Sequence, residues 1–167
     1  MTQVEKFLEV AKNEVGYIEG PKNNETKYGA FSGHNFQPWC GSFVMWCAAK
    51  VGLKIPNCVY TPAGVAGFQG KGQWSNAATS KPKPGDIAFF DFPGGDKVDH
   101  VGIVVKDNGD GTVTTVEGNT SPEKKPKASQ ANGGEVCIRT RAYKQNRKGL
   151  AITIIGFGRP KFKKETV

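Results

Sequence analysis

The stretch DHVGIVVKDNGDGTVTTVEGN, residues 99–119, is typical of a β-hairpin. β-Branched residues fill both arms, and the Asn, Asp and Gly residues between them are those that hairpin turns favour. Similar strand patterns occur within residues 81–92, 135–142 and 151–160. Together these segments predict an antiparallel β-sheet of about five to six strands.

A first helix is predicted at the start of the chain, over residues 3–15. Thr2 and Glu5 have the spacing of a capping box, and apolar residues recur at helical spacing until Gly16. The next segment, residues 16–36, is rich in Gly, Asn and Pro and predicts a long loop. Loops of this length inside a compact domain commonly line a functional site.

The stretch QPWCGSFVMWCAAKVG, residues 37–52, predicts a second helix that is buried in the domain. Pro38 is suited to the first position of a helix, and Gly52 lies just past the helix end. Between them the sequence is apolar on nearly every side, which indicates a central position. Helices followed by strands predict an α+β fold, with the N-terminal helices packed on the antiparallel sheet.

The composition predicts one domain with an ordinary core and a basic surface. Of 167 residues, 23 are Lys or Arg and 15 are Asp or Glu, so the net charge of +8 favours anionic partners. The first residues lack the pattern of a signal peptide, and no segment is long and apolar enough for membrane insertion. We therefore expect a cytosolic product, with its domain over 1–160 and a basic tail or the start of a linker over 161–167.

Four cysteines are predicted to be free thiols: Cys40, Cys47, Cys58 and Cys137. A domain of this size does not depend on disulfides, and no export signal is recognised. Because none of the cysteine spacings is that of a zinc site and the chain has only two histidines, we predict no structural metal.

Cys40 is a candidate nucleophile because it lies in the first turn of the second predicted helix. The unpaired amides and the dipole at a helix N-terminus favour the thiolate, which is the reactive form of cysteine. Cys47 lies on the same face roughly 10 Å further along the helix, so it is predicted to be a core residue. Helix geometry alone does not exclude that Cys40 is also a core residue, because cysteine is often buried. A histidine partner distinguishes the two roles.

His100 is the better of two candidate bases, since it begins a predicted strand, whereas His34 lies in a polar loop. A turn centred midway along the hairpin places His100 opposite residue 118, within one residue of Glu117 and Asn119. Either side chain can then orient the imidazole as the third member of a catalytic triad. Taken alone, Glu117 is better explained as an exposed acid at a strand end.

Four segments stand in a characteristic order along the chain: PWCGSFVMWCA (38–48), KPKPGDIAFF (81–90), DHVGIVV (99–105) and VEGN (116–119). In this order and spacing they resemble the motifs of CHAP domains, the cysteine, histidine-dependent amidohydrolases/peptidases of the papain-like superfamily. The resemblance implies a papain-like α+β fold, with Cys40 as the nucleophile and His100 as the base. It also implies that Glu117 or Asn119, or both, orient the imidazole.

The same resemblance implies a peptidoglycan hydrolase of the phage endolysin type, which cleaves an amide bond as an N-acetylmuramoyl-L-alanine amidase or as an endopeptidase. Such an enzyme stays in the host cytoplasm until lysis and then acts on the cell wall. We expect a monomer that binds bacterial peptidoglycan, binds no nucleic acid and needs no cofactor. The loop before Cys40 carries Glu25 as its single acid, so we predict no bound calcium.

Three aromatic residues in glycine-rich loops are predicted to line a substrate groove: Tyr28, Trp39 and Trp74. The alternative for Trp39 and Trp74 is a place at the edge of the core. The backbone N–H of Cys40, at the helix start, is the predicted oxyanion donor.

Two other functions remain open from the sequence. One is a non-catalytic basic module that binds cell-wall polymer or nucleic acid, in which binding depends on salt and survives loss of Cys40. The other is a papain-like cysteine peptidase that acts on another amide. The Cys, His and Glu-x-Asn order favours an enzyme, because a pure binding module does not need these residues.

Overall fold

The computed structural model describes residues 1–93, 97–125 and 128–164. The helices are α1 (Gln3–Asn13), α2 (Lys27–Ser32), α3 (Cys40–Lys50) and α4 (Thr61–Gly70). The strands are β1 (Trp74–Asn76), β2 (Ile87–Phe90), β3 (His100–Asp107), β4 (Thr112–Thr120), β5 (Glu135–Ala142) and β6 (Ile154–Gly158).

The strands form one sheet in the order β1-β6-β2-β3-β4-β5, and every neighbouring pair is antiparallel. Helix α3 packs on β3 and β4, and α1 packs on α3. The predicted α+β fold, with N-terminal helices on an antiparallel sheet of five to six strands, is confirmed. In the part of the chain that the structure describes, no helix combines the length and the apolar composition that a bilayer-spanning segment needs.

The central strands are buried on both faces of the sheet, because side chains alternate between the faces along each strand. The buried residues on the helix side include Phe7, Phe43, Phe89, Ile103 and Val116. Those on the opposite side include Phe90, Val104, Val113, Ile154 and Phe157. The two clusters hold β3 and β4 in fixed positions beneath α3.

Helix α1 begins as predicted and ends two residues earlier. The capping box predicted for Thr2 and Glu5 is present. The helix ends at Asn13, and the Gly16 amide then donates to the Val136 carbonyl at 2.9 Å. This hydrogen bond draws the chain toward β5, so the last two predicted helical residues form a turn instead.

A short helix, α2, lies within the segment 16–36 that the sequence predicts as a loop. Thr26 caps it, since its side-chain oxygen accepts the Gly29 amide proton at 2.8 Å. At its end, the side-chain oxygens of Ser32 and Ser42 are hydrogen-bonded at 2.7 Å. Because Ser42 belongs to α3, this contact fixes α2 against that helix.

Two further elements, α4 and β1, are not predicted from the sequence. Three glycines lie in α4, and glycine weakens an isolated helix. Close packing requires two of them: a Cβ on Gly64 would lie 3.0 Å from the Phe89 ring, and one on Gly67 would lie 2.5 Å from the Pro56 side chain. Tertiary contact therefore overrides the poor local propensity of α4.

Gly118 of β4 allows α3 to approach the sheet closely. A Cβ at this position would lie 2.6 Å from the Cβ of Phe43 and 3.0 Å from the Trp39 ring. Neither neighbour has room to move, because both side chains are fully buried. The contact fixes the distance between β4 and the start of α3.

Part of the predicted C-terminal tail, residues 161–164, lies against α1. The Phe162 ring centroid is 6.0 Å from that of Phe7, and the Lys163 amide donates to the side chain of Gln3 at 2.7 Å. The rest of the predicted tail, residues 165–167, lies outside the described residues.

Candidate active site

Cys40 is the first residue of α3 and is 4% exposed. The preceding residue, Trp39, is the N-cap, and its side chain makes no capping hydrogen bond. The amides of the first turn are therefore not satisfied by a capping side chain, and the positive end of the helix dipole lies at the Cys40 thiol. This arrangement suits an anionic sulfur and, next to it, an anionic oxygen.

His100 is fully buried at the first position of β3 and is hydrogen-bonded to Glu117 of β4. The distance from His100 Nε2 to Glu117 Oε1 is 2.8 Å. The other ring nitrogen, Nδ1, makes no well-formed hydrogen bond among the described residues. Cys40 is one of the groups that raise the pKa of His100. Because Nε2 is committed to Glu117, Nδ1 is the nitrogen left for Cys40.

The β3–β4 register differs by one position from the predicted register. Ile103 pairs with Val116, whereas a turn centred midway predicts residue 115. The pairing also shifts between Val104 and Lys106, as at a β-bulge. Bulges depend on backbone geometry, which the hairpin sequence does not specify to within one residue.

This one-residue difference has a chemical consequence, because residues directly opposite each other share a face of the sheet. In the predicted register His100 lies opposite Gly118, so its side chain would share a face with Gly118 and not with Glu117. In the observed register the side chains of His100 and Glu117 lie on the same face.

Arg141 of β5 forms an ion pair with the Glu117 carboxylate. It is not among the residues predicted for the site. Its guanidinium is bidentate, with Nε 2.8 Å from Glu117 Oε2 and NH2 2.7 Å from Glu117 Oε1. Thr115 donates a further hydrogen bond to Oε2 at 2.5 Å. With the bond from His100, the buried carboxylate makes four hydrogen bonds to three residues, as a charge in a protein interior requires.

The arrangement sets the charges of both buried groups. Burial alone would raise the pKa of Glu117, but Arg141, and after it His100, outweigh burial and hold the pKa well below its usual range. Burial alone would lower the pKa of His100, but Cys40 and Glu117 outweigh it and raise the pKa to about 9. At neutral pH the site therefore contains a carboxylate and an imidazolium beside Cys40.

Asn119 lies two residues beyond Glu117 on β4, but its side chain contacts Gly134 and Asn132 and makes no hydrogen bond to His100. Its backbone has a φ of 56°, a left-handed conformation that asparagine tolerates. Its Oδ1 accepts the Gly134 amide proton at 3.0 Å, and its Nδ2 donates to Asn132 at 2.9 Å. In this geometry Asn119 anchors the segment before β5, and Glu117 is the side chain that contacts His100.

Two of the predicted groove residues, Tyr28 and Trp39, have no exposed surface. Their rings stack with centroids 5.4 Å apart, and the Trp39 indole N–H donates to Glu19 at 2.7 Å. Phe43 packs edge-on against Tyr28. These contacts support the start of α3 from below, so neither ring presents a face to a ligand in this conformation.

Trp74, the third predicted groove residue, lies on β1 at the edge of the sheet. Its ring packs against Phe89, with centroids 5.6 Å apart, and its indole N–H donates to Asn76 at 3.0 Å. Strands β6 and β2 separate β1 from β3, so the structure does not bring Trp74 to Cys40 and His100.

Phe92 and Arg141 are the neighbours of the site that sequence reasoning missed. The Phe92 ring centroid is 5.5 Å from that of His100, and the Arg141 guanidinium lies 5.1 Å above Phe92. A signal for Arg141 was present: Arg139 and Arg141 are two residues apart in the predicted strand 135–142, so they share a face. The pattern of the strand alone does not indicate which face of the sheet carries the site.

His34 is exposed in the loop after α2, away from the buried pair of His100 and Glu117. Among the described residues, no three His, Cys, Asp or Glu side chains form a group that would hold a metal ion.

The four thiols are expected to differ strongly in their rates of alkylation by iodoacetamide. Cys47, Cys58 and Cys137 are buried, and burial raises the pKa of each, to about 12 for Cys58 and Cys137. Since the thiolate is the reactive species, these three should react slowly, whereas Cys40 faces an imidazolium and should react first. Peptide mapping by mass spectrometry over a time course measures the order.

Loss of the imidazole provides the control for this alkylation experiment. His100→Asn should slow the labelling of Cys40 and leave the labelling of the other three cysteines unchanged. Equal rates at all four cysteines in the folded wild-type protein would contradict the assignment.

His100 is expected to titrate with a midpoint near pH 9, as its raised pKa indicates. The chain has two histidines, so the variant His34→Gln leaves one imidazole, and its ring resonances can be followed by NMR against pH. Glu117→Gln should move the midpoint down, because it removes the carboxylate that stabilises the imidazolium. A midpoint at or below the ordinary value of 6.5 would contradict the ion pair.

Residues 32–119 match the CHAP domain. No curated protein sequence matches the chain significantly. Among solved structures, the crystal structure of Ly7917 is similar, with a TM-score of 0.53 and 16% sequence identity, over 94% of this chain and 62% of that one. At this identity the likeness concerns the fold, and the chain spans less than two thirds of the length of Ly7917.

Proposed function

The chain belongs to the CHAP domain family, and from this membership and its site we propose that it hydrolyses an amide bond of bacterial peptidoglycan, with Cys40 as the nucleophile. The family consists of cysteine, histidine-dependent amidohydrolases, which makes the protein a hydrolase. The observation that carries the proposal is the buried hydrogen bond between His100 and Glu117, beside a cysteine at a helix N-terminus.

In the first step, the Cys40 sulfur attacks the carbonyl carbon of the scissile amide. The negative charge that develops on the carbonyl oxygen is stabilised by the backbone N–H of Cys40 at the start of α3. The imidazolium of His100 donates its Nδ1 proton to the leaving nitrogen, so the carbon–nitrogen bond breaks and a free amine departs. A thioester joins Cys40 to the acyl part of the substrate.

In the second step, neutral His100 accepts a proton from a water molecule at Nδ1. The resulting hydroxide attacks the thioester carbonyl, and the carbon–sulfur bond breaks to release a carboxylate and the Cys40 thiolate. Glu117 stays ionised throughout, because Arg141 holds its charge, and it keeps the Nε2–H of His100 directed toward β4.

We further propose the role of a phage endolysin for this hydrolase. The net charge of +8 supports it, since a basic surface is attracted to a wall rich in anionic polymer. In this role the protein is held in the host cytoplasm until lysis and then acts as a monomer on the wall. A non-catalytic binding module is disfavoured, because burying the carboxylate of Glu117 beside His100 serves no purpose in a basic binding surface.

Digestion of purified peptidoglycan tests the proposal. We expect new free amino groups and, by mass spectrometry, fragments that identify the cleaved bond as the muramoyl–alanine amide or as an amide within the peptide. Cys40→Ser serves as the inactive control. Release of reducing sugars without free amines, or the absence of any product, would contradict the proposed function.

A further inference from the structure

A cavity of about 480 Å³ lies next to the proposed active site, on the far side of Phe92. Its lining includes Phe92, Glu123, Gln130, Arg139, Arg141 and Lys148. Two of these residues connect the cavity to the catalytic groups, since Phe92 packs on the His100 ring and Arg141 holds Glu117. The cavity and the catalytic pair of His100 and Glu117 therefore share Phe92 and Arg141 as common neighbours.

Arg139 is a half-buried cation without an ion-pair partner among the described residues. Its NH1 donates to two neutral oxygens, the Ser121 carbonyl and, at 2.6 Å, the Gln130 side chain. Its Nε is buried and has no hydrogen-bond partner. Burial and the nearby charge of Arg141 lower the pKa of Arg139 by more than the carboxylates of Glu117 and Glu123 raise it.

Gln130 occupies the position in which an anionic oxygen would be most stable. Its Oε1 accepts from Arg139 NH1 at 2.6 Å and from Arg141 NH1 at 3.1 Å. The charge of Arg141 is paired with Glu117, but the neutral Gln130 oxygen leaves that of Arg139 uncompensated. A carboxylate in its place would make charge-assisted hydrogen bonds to both guanidinium groups. The Gln130 oxygen thus marks where a ligand carboxylate would bind.

The other charges around the cavity also favour an anion. Three basic residues line it against one acid, Glu123, whose Oε1 already accepts the Thr140 amide proton at 2.9 Å. The carboxylate of Glu117, just outside the cavity, is fully engaged by Arg141 and His100. Lys148 is half-exposed, and its Nζ lies 3.9 Å from Asp110, so the half-buried Arg139 is the main source of positive charge left for a ligand.

From these observations we propose that the cavity binds a free carboxylate of the peptide part of the substrate, with Arg139 as its principal partner. The inference rests on the proposed function, because it assumes a peptide whose scissile amide lies at Cys40. The cavity then selects, among peptidoglycan peptides, those with a free acid over those in which the same acid is amidated. None of Gln130, Arg139 and Arg141 lies in the segment that matches the CHAP domain, residues 32–119.

A pair of peptidoglycan peptides that differ only by a carboxylate and its carboxamide tests the inference. Binding is measured by calorimetry on the Cys40→Ala variant, which cannot turn the peptides over. We expect the acid to bind about tenfold or more tightly than the amide, as a charge-assisted hydrogen bond predicts. In Cys40→Ala/Arg139→Gln the ratio of the two Kd values should fall close to one, because only the acid loses an interaction.

Two further variants separate charge from structure. Arg139→Lys keeps the cation and should retain most of the preference for the acid, whereas a purely structural role of Arg139 would make Lys and Gln equivalent. Gln130→Glu supplies an internal carboxylate and should weaken binding of the acid without weakening that of the amide. Thermal unfolding of each variant shows that the fold is retained.

Equal Kd values for acid and amide on Cys40→Ala would overturn the inference, whether or not the wild-type protein cleaves the peptides. A preference that persists undiminished in the Arg139→Gln background would also overturn it, because another residue would then hold the carboxylate. Hydrolysis is followed separately with the wild-type protein. Selective binding without cleavage supports the cavity assignment and counts against the proposed function alone.

Discussion

Replacing Cys40 with alanine is expected to lower kcat/KM for peptidoglycan hydrolysis by at least about 10⁴-fold, since no other group in the site can form the thioester. The fold should persist, because the change removes one sulfur atom from a residue at a helix terminus. Hydrolysis of purified peptidoglycan, measured as released amines, gives the activity, and thermal unfolding gives the stability.

Cys47→Ala is the matched control for this prediction. It makes the same chemical change in the same helix, seven residues on, at a fully buried position that the proposed chemistry does not use. We expect it to lower stability through the small cavity it creates and to leave kcat/KM near the wild-type value. Comparable losses of activity in both variants would contradict the role given to Cys40.

Glu117→Gln is expected to affect both catalysis and stability. The neutral amide cannot stabilise the imidazolium or fix the Nε2 proton, and loss of such a residue lowers kcat roughly 10³- to 10⁴-fold. The change also leaves the Arg141 guanidinium buried without its carboxylate, which costs about 3–5 kcal/mol in the free energy of unfolding. Kinetics and urea unfolding at pH 7 measure the two effects.

The pH dependence of this stability loss has a definite sign. The folded protein holds the pKa of Glu117 below its ordinary value of 4.5, so the carboxylate stabilises the fold above that pH and the contribution is lost as pH falls further. The difference between wild type and Glu117→Gln should therefore shrink below about pH 4.5. Glu135→Gln, which changes an acid on β5 outside the site, is the control. A difference that grows in acid would contradict the ion pair.

The parts of the site that the sequence predicts are those set by local structure. Cys40 is predicted because a helix start is visible in about ten residues, and His100 because a strand start is visible in a similar window. Whether Glu117 and Asn119 share a face of the sheet with His100 depends on the hairpin register, which a single bulge changes. The left-handed backbone of Asn119, which directs its side chain to Gly134, has no local signature in the sequence.

Contacts between distant segments account for what the sequence did not predict. Tyr28 and Trp39 have the composition of groove residues, and only the packing of α2 beneath α3 places them in the core. Arg141 lies 24 residues after Glu117, on a neighbouring strand. The helix α4 contains glycines that oppose helix formation. They are needed because Phe89 and Pro56 leave no room for a side chain at Gly64 and Gly67, and this contact is not visible in the local sequence.

The close contact of Gly118 with Phe43 and Trp39 has a consequence for when the protein becomes reactive. The thiol of Cys40 and the imidazole of His100 lie on separate layers, 60 residues apart in the chain, and they meet only once α3 rests on β4 at the distance that Gly118 permits. In a nascent or partly folded chain, Cys40 is therefore an ordinary thiol. We expect hydrolytic activity only after α3 has packed on β4.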